Sequence, residues 1–239
     1  MKAEGDGRKE ARDEKPEFVS RPIRILWALV VLSLLLSTGT QATDAYGTDK
    51  WTELSAMERQ VKAYVPEKNC PDDPYVLVTL QEAITAIGEG NGGIGACLVR
   101  EATGEIVERG HNRQYEPYFR SDLHAEMDLL TRYEERVRGR RQGAGIPTGV
   151  QRKMEGLVLY TSLEPCPMCL TRIINAGVKK VYFAAPDPTG GMAHKMRNLP
   201  PFWQDRASGQ IFEPARCSTH LKELAWQLFR HSMARRSTR

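Results

Sequence analysis

Leu157-Val158-Leu159-Tyr160-Thr161-Ser162-Leu163-Glu164-Pro165-Cys166-Pro167-Met168-Cys169 decides how this chain folds. Its apolar start, Leu157 to Thr161, reads as a buried strand. Pro165 and Pro167 suit the entry to a helix, where no amide hydrogen is required. Leu170 to Ala176 is the body of that helix, and Gly177 stops it. Val178 to Ala185 is then a further strand. Strand, helix and strand in succession predict a parallel pair joined by a crossover.

Cys166 and Cys169 are three residues apart, so on a helix their thiols share one face. A helix N-terminus favours negative charge, which helps both to ionise and to bind a metal. Well upstream, His124-Ala125-Glu126 offers an imidazole and a carboxylate. His124, Cys166 and Cys169 form the three-ligand set of a catalytic zinc, whose fourth position is left for water. Such a water ionises near neutral pH and can attack an electron-poor carbon. Glu126 would carry its proton, provided that it does not bind the metal itself. Residues two apart on a regular helix point to opposite sides. His124 and Glu126 can therefore face one ion only if His124 lies at the helix entry, with Ser121-Asp122-Leu123 in a loop. A closed structural zinc site would need a fourth ligand. Cys70, Cys97 and Cys217 lack partner spacing, and Cys97 sits in an apolar run that reads as core. A redox Cys-x-x-Cys would explain neither His124 nor Glu126.

Working outward, Thr48 to Val65 has a moderate helical pattern, and Pro66 to Pro74 is a break. Pro74 to Ile87 reads as an amphipathic helix ended by Gly88. Gly92 to Val99 and Glu105 to Asn112 form a hairpin across Thr103-Gly104. Ser218 to Arg236 is a closing helix with Leu221, Leu224, Ala225, Leu228 and Met233 inward. The segment Arg132 to Lys153 carries seven basic residues against two glutamates. It reads as a solvated loop, with nucleic-acid contact as the minority reading. The whole chain has 239 residues, 41% hydrophobic, with a net charge of only +4. That suits one packed domain with extensions. Arg21 and Arg24 precede the apolar run Ile25 to Leu36, and small residues reach Ala42 and Ala45. These are the parts of a secretory signal, on a run shorter than a membrane span needs. The expected division is an export segment over 1–45, a helical extension over 46–73 and the main domain over 74–239. Export, or anchoring by the apolar segment, would permit Cys70 and Cys217 to pair. Translation starting at Met57 would make the protein cytoplasmic.

His124-x-Glu126 followed by Pro165-Cys166-x-x-Cys169 is the pattern of the zinc-dependent base deaminases. With Thr161 to Cys169, it resembles the cytidine/deoxycytidylate deaminase superfamily. The nearest flavour is the branch with tRNA adenosine deaminase, guanine deaminase and cytosine deaminase. The resemblance implies a three-layer α/β/α sandwich around a mixed five-stranded sheet and one Zn2+ per chain. It implies His124, Cys166 and Cys169 as ligands and Glu126 as proton shuttle. Asn112 and the backbone amide of Ala125 are implied as substrate contacts, and a homodimer as the common assembly. His194 lies in the loop after the fourth strand and would be solvent-exposed. Ser121-Asp122-Leu123 departs from the Pro-Thr-Ala of tRNA-editing members, and Ile173 to Val181 instead resembles deoxycytidylate and riboflavin-pathway deaminases. The expectation is a hydrolytic deaminase of a free nucleobase or nucleoside. The alternatives are the same chemistry on nucleic acid, such as tRNA adenosine, and a binding module without turnover.

Overall fold

Alternation along the central strands decides which side of the sheet each helix covers. Strands β1 (Gly95–Arg100) and β3 (Leu157–Leu163) pair antiparallel, with Leu98 opposite Leu159. Ala96, Leu98, Leu157 and Leu159 point to one face and Cys97, Val99, Val158 and Tyr160 to the other, as a two-residue period requires. Strand β2 (Ile106–His111) completes the antiparallel hairpin with β1. Strands β4 (Lys180–Ala185) and β5 (Ile211–Pro214) extend the sheet in parallel from β3, giving the order β2-β1-β3-β4-β5. The computed structural model describes residues 51–141 and 154–236. All of them lie in one unit, Asp49–Arg239.

One face of the sheet is covered by helices α1 (51–63), α2 (Asp73–Gly88) and α6 (Thr219–Arg236). Leu80, Ile87, Leu221, Leu224 and Leu228 are fully buried there, with Leu54 and Val61 of α1 packed against them. Burying one such side chain contributes about 1.5–3 kcal/mol. The opposite face carries α3 (Ala125–Arg141) and α4 (Pro167–Ala176), whose Leu129, Leu130 and Ile173 meet the sheet leucines. A short helix, α5 (Pro201–Arg206), packs beside α4. The α/β/α layering and the mixed five-stranded sheet match expectation, and so does the parallel β3–α4–β4 unit.

Two expectations need correction, and two elements were not foreseen. Arg132 to Arg141 is helical, because α3 runs to Arg141. Glu108 pairs with Arg132 and Arg136, and that gives the polar helix a reason to continue. The basic segment therefore spends part of its charge within the fold. Met233 is 46% exposed, so the inner face of α6 ends before it. The fifth strand is short and mostly exposed, and neither it nor α5 carries a periodic signal. Residues 1–45, expected as an export segment, and residues 142–153 lie outside the described residues. Among the described residues no helix is long and apolar enough to cross a membrane. The five cysteines are free thiols.

Two buried aspartates at the start of α2 knot distant parts of the chain. Asp72 accepts from Tyr160 Oη at 2.9 Å and from the Arg216 amide at 2.7 Å. Asp73 accepts from Tyr64 Oη at 2.8 Å, the Glu67 amide at 3.0 Å and the Ser218 amide at 2.9 Å. An Asp73→Asn change turns one accepting oxygen into a donor facing donors. It should cost about 2–4 kcal/mol, read as a lower urea midpoint at unchanged slope. A loss within about 0.5 kcal/mol, typical of a surface change, would refute the knot.

Candidate metal centre and active site

Cys166 is the N-cap of α4, with extended backbone (φ −69°, ψ 169°), and Pro167 opens the helix. Cys169 lies one turn in, and Gly177 ends the helix in the left-handed region at φ 71°. Helix α3 begins one residue after His124, whose carbonyl accepts the Asp128 amide at 2.9 Å. The imidazole thus leaves a non-helical residue and the Glu126 carboxylate leaves the first turn, as the two-residue spacing demands.

These elements converge. His124 Nδ1 is 3.6 Å from the sulfurs of both Cys166 and Cys169, and the three ligand atoms lie within 4.8 Å of one another. Among the described residues no fourth histidine, cysteine or carboxylate joins the group. The hydrogen bond from Cys169 and the neighbouring His124 draw the Cys166 thiol down to about 4. Sharing that proton with Cys166, together with burial, pushes Cys169 up. Two sulfurs holding one charge around an imidazole nitrogen are a donor set that a divalent soft-to-borderline cation completes, and zinc fits it.

Glu126 is buried and accepts from Thr161 Oγ1 at 3.1 Å. Thr161 falls on the α3 face of β3 by the same alternation that places Leu157 and Leu159 there. Burial raises the carboxyl, and the Cys166 charge adds to the rise. A carboxyl held above its ordinary range suits a group that must both take and return a proton. Asn112 follows the end of β2 and is buried, its Oδ1 accepting the Gly92 and Gln114 amides at 3.2 and 3.1 Å. That fixes the orientation of its side-chain amide and leaves Nδ2 as the group able to face a substrate. Ala125 is buried at the first position of α3, where the helix supplies no acceptor for its amide.

His194 stands apart from this cluster, in a short 3-10 segment (Ala193–Asn198). It is 40% exposed, yet its Nδ1 is held by Glu164 at 2.7 Å. Glu164 is nearly fully buried and also accepts the Asp187 and His194 amides, anchoring the loop after β4. A Cβ on Gly191 would sit 2.5 Å from that carboxyl carbon, so the loop needs glycine there. Both Glu164 and Thr161 lie in the motif stretch, but the sequence assigned neither a role. Thr161 was open to discovery from strand alternation, whereas Glu164 has partners 23 and 30 residues away that no local pattern marks.

The family model for the cytidine and deoxycytidylate deaminase zinc-binding region matches residues 71–185. A tRNA-specific adenosine deaminase of Bacillus subtilis (strain 168) is 38% identical over 128 residues, covering 54% of this chain and 70% of that protein. The chain belongs to the cytidine and deoxycytidylate deaminase family. A tRNA-specific adenosine deaminase of Aquifex aeolicus (strain VF5) is 32% identical over 125 residues, or 52% of this chain and 73% of that one. The solved structure of NE0047 in complex with 2,6-diaminopurine is alike in fold. It has a TM-score of 0.50 and 21% identity, over 71% of this chain and 85% of that one. As a member of the deaminase family, the protein is a zinc-dependent hydrolase of carbon–nitrogen bonds.

The expected free nucleobase or nucleoside substrate is overturned by these relatives, both of which are named for tRNA. The motif carries the hydrolysis, which is common to base, nucleoside and tRNA enzymes, and says nothing of what surrounds the attacked ring. Ser121-Asp122-Leu123, which departs from the pattern of tRNA-editing members, belongs to the loop before His124 and supplies no ligand to the metal cluster.

Proposed function

We propose that this deaminase converts adenosine to inosine within transfer RNA. The reading is carried by the likeness to the two tRNA-specific enzymes, each matched over more than two thirds of its length. The surface beside the cluster suits an RNA strand. Residues 113–123 form a loop whose neck is closed by the Arg113 amide donating to Leu123 O, between Asn112 and His124. Its tip exposes Tyr118 and Phe119, each about two-thirds accessible, next to Arg120. Exposed aromatics beside guanidinium groups are what unpaired bases stack upon.

Zinc held by His124, Cys166 and Cys169 would supply an activated water and charge stabilisation. The remaining work falls to the chain. Glu126 takes one proton of the attacking water and gives it to the ring nitrogen, then takes the proton of the added hydroxyl and gives it to the departing amine, which leaves as ammonia while the oxygen becomes the ring carbonyl. Thr161 Oγ1 holds one carboxylate oxygen and so sets the direction of the other. Asn112 Nδ2 and the Ala125 amide orient the base.

The test is incubation of the full chain with tRNA transcripts and, separately, with adenine, adenosine, cytosine, guanine and their nucleosides. Inosine should form in tRNA alone, and binding should weaken steeply with salt as counterions are released. Ammonia release from a free base or nucleoside, with intact adenosine in every tRNA, would overturn the proposal.

A further inference from the structure

The end of β2 holds an arrangement that the catalytic cluster does not use. His111 is buried, and each of its ring nitrogens meets a carboxylate. Nδ1 is 2.9 Å from Glu82 Oε2 and Nε2 is 3.0 Å from Glu89 Oε2. Ionised carboxylates only accept. A neutral imidazole carries one N–H, so one of these two contacts would then set lone pair against lone pair. Both are satisfied together only by the imidazolium.

What this clamp holds is the chain leading into the active site. His111 is followed directly by Asn112, whose Oδ1 binds Gly92 and Gln114. Arg113 comes next and ties to Leu123, the residue before His124. The same end of α2 grips the loop a second time. Asn91 Oδ1 accepts the Tyr115 and Glu116 amides at 2.8 and 3.0 Å. Between the two grips, Gly90 has φ +89°, and a Cβ there would lie 2.8 Å from Glu116 Cγ. The segment from Glu89 to Asn91 is therefore a two-sided handle on residues 111–116.

We propose that His111 is a positioning residue which, as an imidazolium clamped between Glu82 and Glu89, holds Asn112 and the neck of the 113–123 loop in their substrate-binding arrangement. This rests on the function proposed above, with Asn112 meeting the base. Losing the ring proton releases one carboxylate, loosens the end of β2 and weakens substrate binding while leaving the proton chemistry of Glu126 intact.

The surroundings set the direction of the pH effect. Burial of the ring works against its charge, but Glu82 and Glu89 more than offset that, so His111 titrates above its ordinary value. Arg109, two residues earlier on the same strand, is the cation on that face of β2. Opposite His111, β1 presents Gly95, and α3 meets the neighbouring Gly110 with Leu129, so neither brings a charge to the ring. Glu116 lies against Gly90. A group raised on folding contributes fully below its unfolded value and loses its contribution as pH rises through the folded one. Substrate binding should thus be tight in mild acid and weaken through the raised His111 midpoint.

The experiment pairs kinetics with histidine titration by NMR on the full chain. His111 should titrate above its ordinary value, KM for tRNA should rise through that midpoint, and kcat should follow a separate profile. Glu82→Gln should lower the His111 midpoint and move the KM limb with it. His111→Gln should raise KM about tenfold at mildly acid pH and flatten the limb. A KM limb that stays in place while the His111 midpoint moves would overturn the proposal, as would a midpoint at or below the ordinary value. If no RNA is turned over, the function reading fails separately and the Asn112 side-chain amide resonances decide. They should shift with His111 titration, and resonances that ignore it sink the clamp.

Discussion

Replacing Glu126 by Gln should leave zinc bound in one equivalent and, with tRNA as the proposed substrate, lower inosine formation by roughly 10³-fold or more. The amide keeps the shape of the side chain and can still meet Thr161 Oγ1, so helix α3 and the three ligands are undisturbed. What it cannot do is accept a proton and hand it on. The loss should appear in kcat, measured by single turnover at saturating tRNA, with metal content from elemental analysis alongside. Activity within tenfold of the parent would remove Glu126 from the proton path. Loss of zinc in this variant would instead make the carboxylate a ligand.

Cys169→Ala should have the second largest effect. Cys169 is 1% exposed at one corner of the cluster, and without it two donors remain for an ion that needs three from the protein. Zinc content should fall below about a tenth of an equivalent and activity should vanish with it. Because binding free energy of a metal adds to folding free energy, thermal unfolding should also move to lower temperature. Cys217→Ala is the control, a buried thiol outside the cluster that should keep both metal and activity. Retention of a full equivalent of zinc in Cys169→Ala would dismantle the proposed centre.

Much of the catalytic cluster was legible because its geometry is local. The spacing of His124 and Glu126 requires a helix that starts between them, and α3 does start at Ala125. Cys166, Pro167 and Gly177 mark both ends of α4 in the same way. The sheet edge was harder to read. Ile211–Pro214 alternates too briefly and too exposed to separate from a loop, and it pairs only because β4 is already in place. The polar run of α3 past Arg132 lacks apolar periodicity and is supported by ion pairs to Glu108 of strand β2. Long-range carboxylate partnerships were invisible for a related reason. Glu82, Glu89 and His111 are ordinary residues until folding brings them within 3.0 Å. Substrate choice was misread because the metal motif carries the hydrolysis and leaves the surroundings of the attacked ring unspecified.

The knot at Asp72 and Asp73 sets a limit on how far this enzyme can be trimmed. Four of its five donors lie outside the zinc-binding region, Tyr64 and Glu67 before it and Arg216 and Ser218 after it, and only Tyr160 lies within. An excised piece spanning only residues 71–185 would retain every metal ligand, yet strand two carboxylates in an apolar interior with most of their partners cut away. The catalytic motif is short, but the stretch that keeps these two carboxylates satisfied reaches from Tyr64 to Ser218.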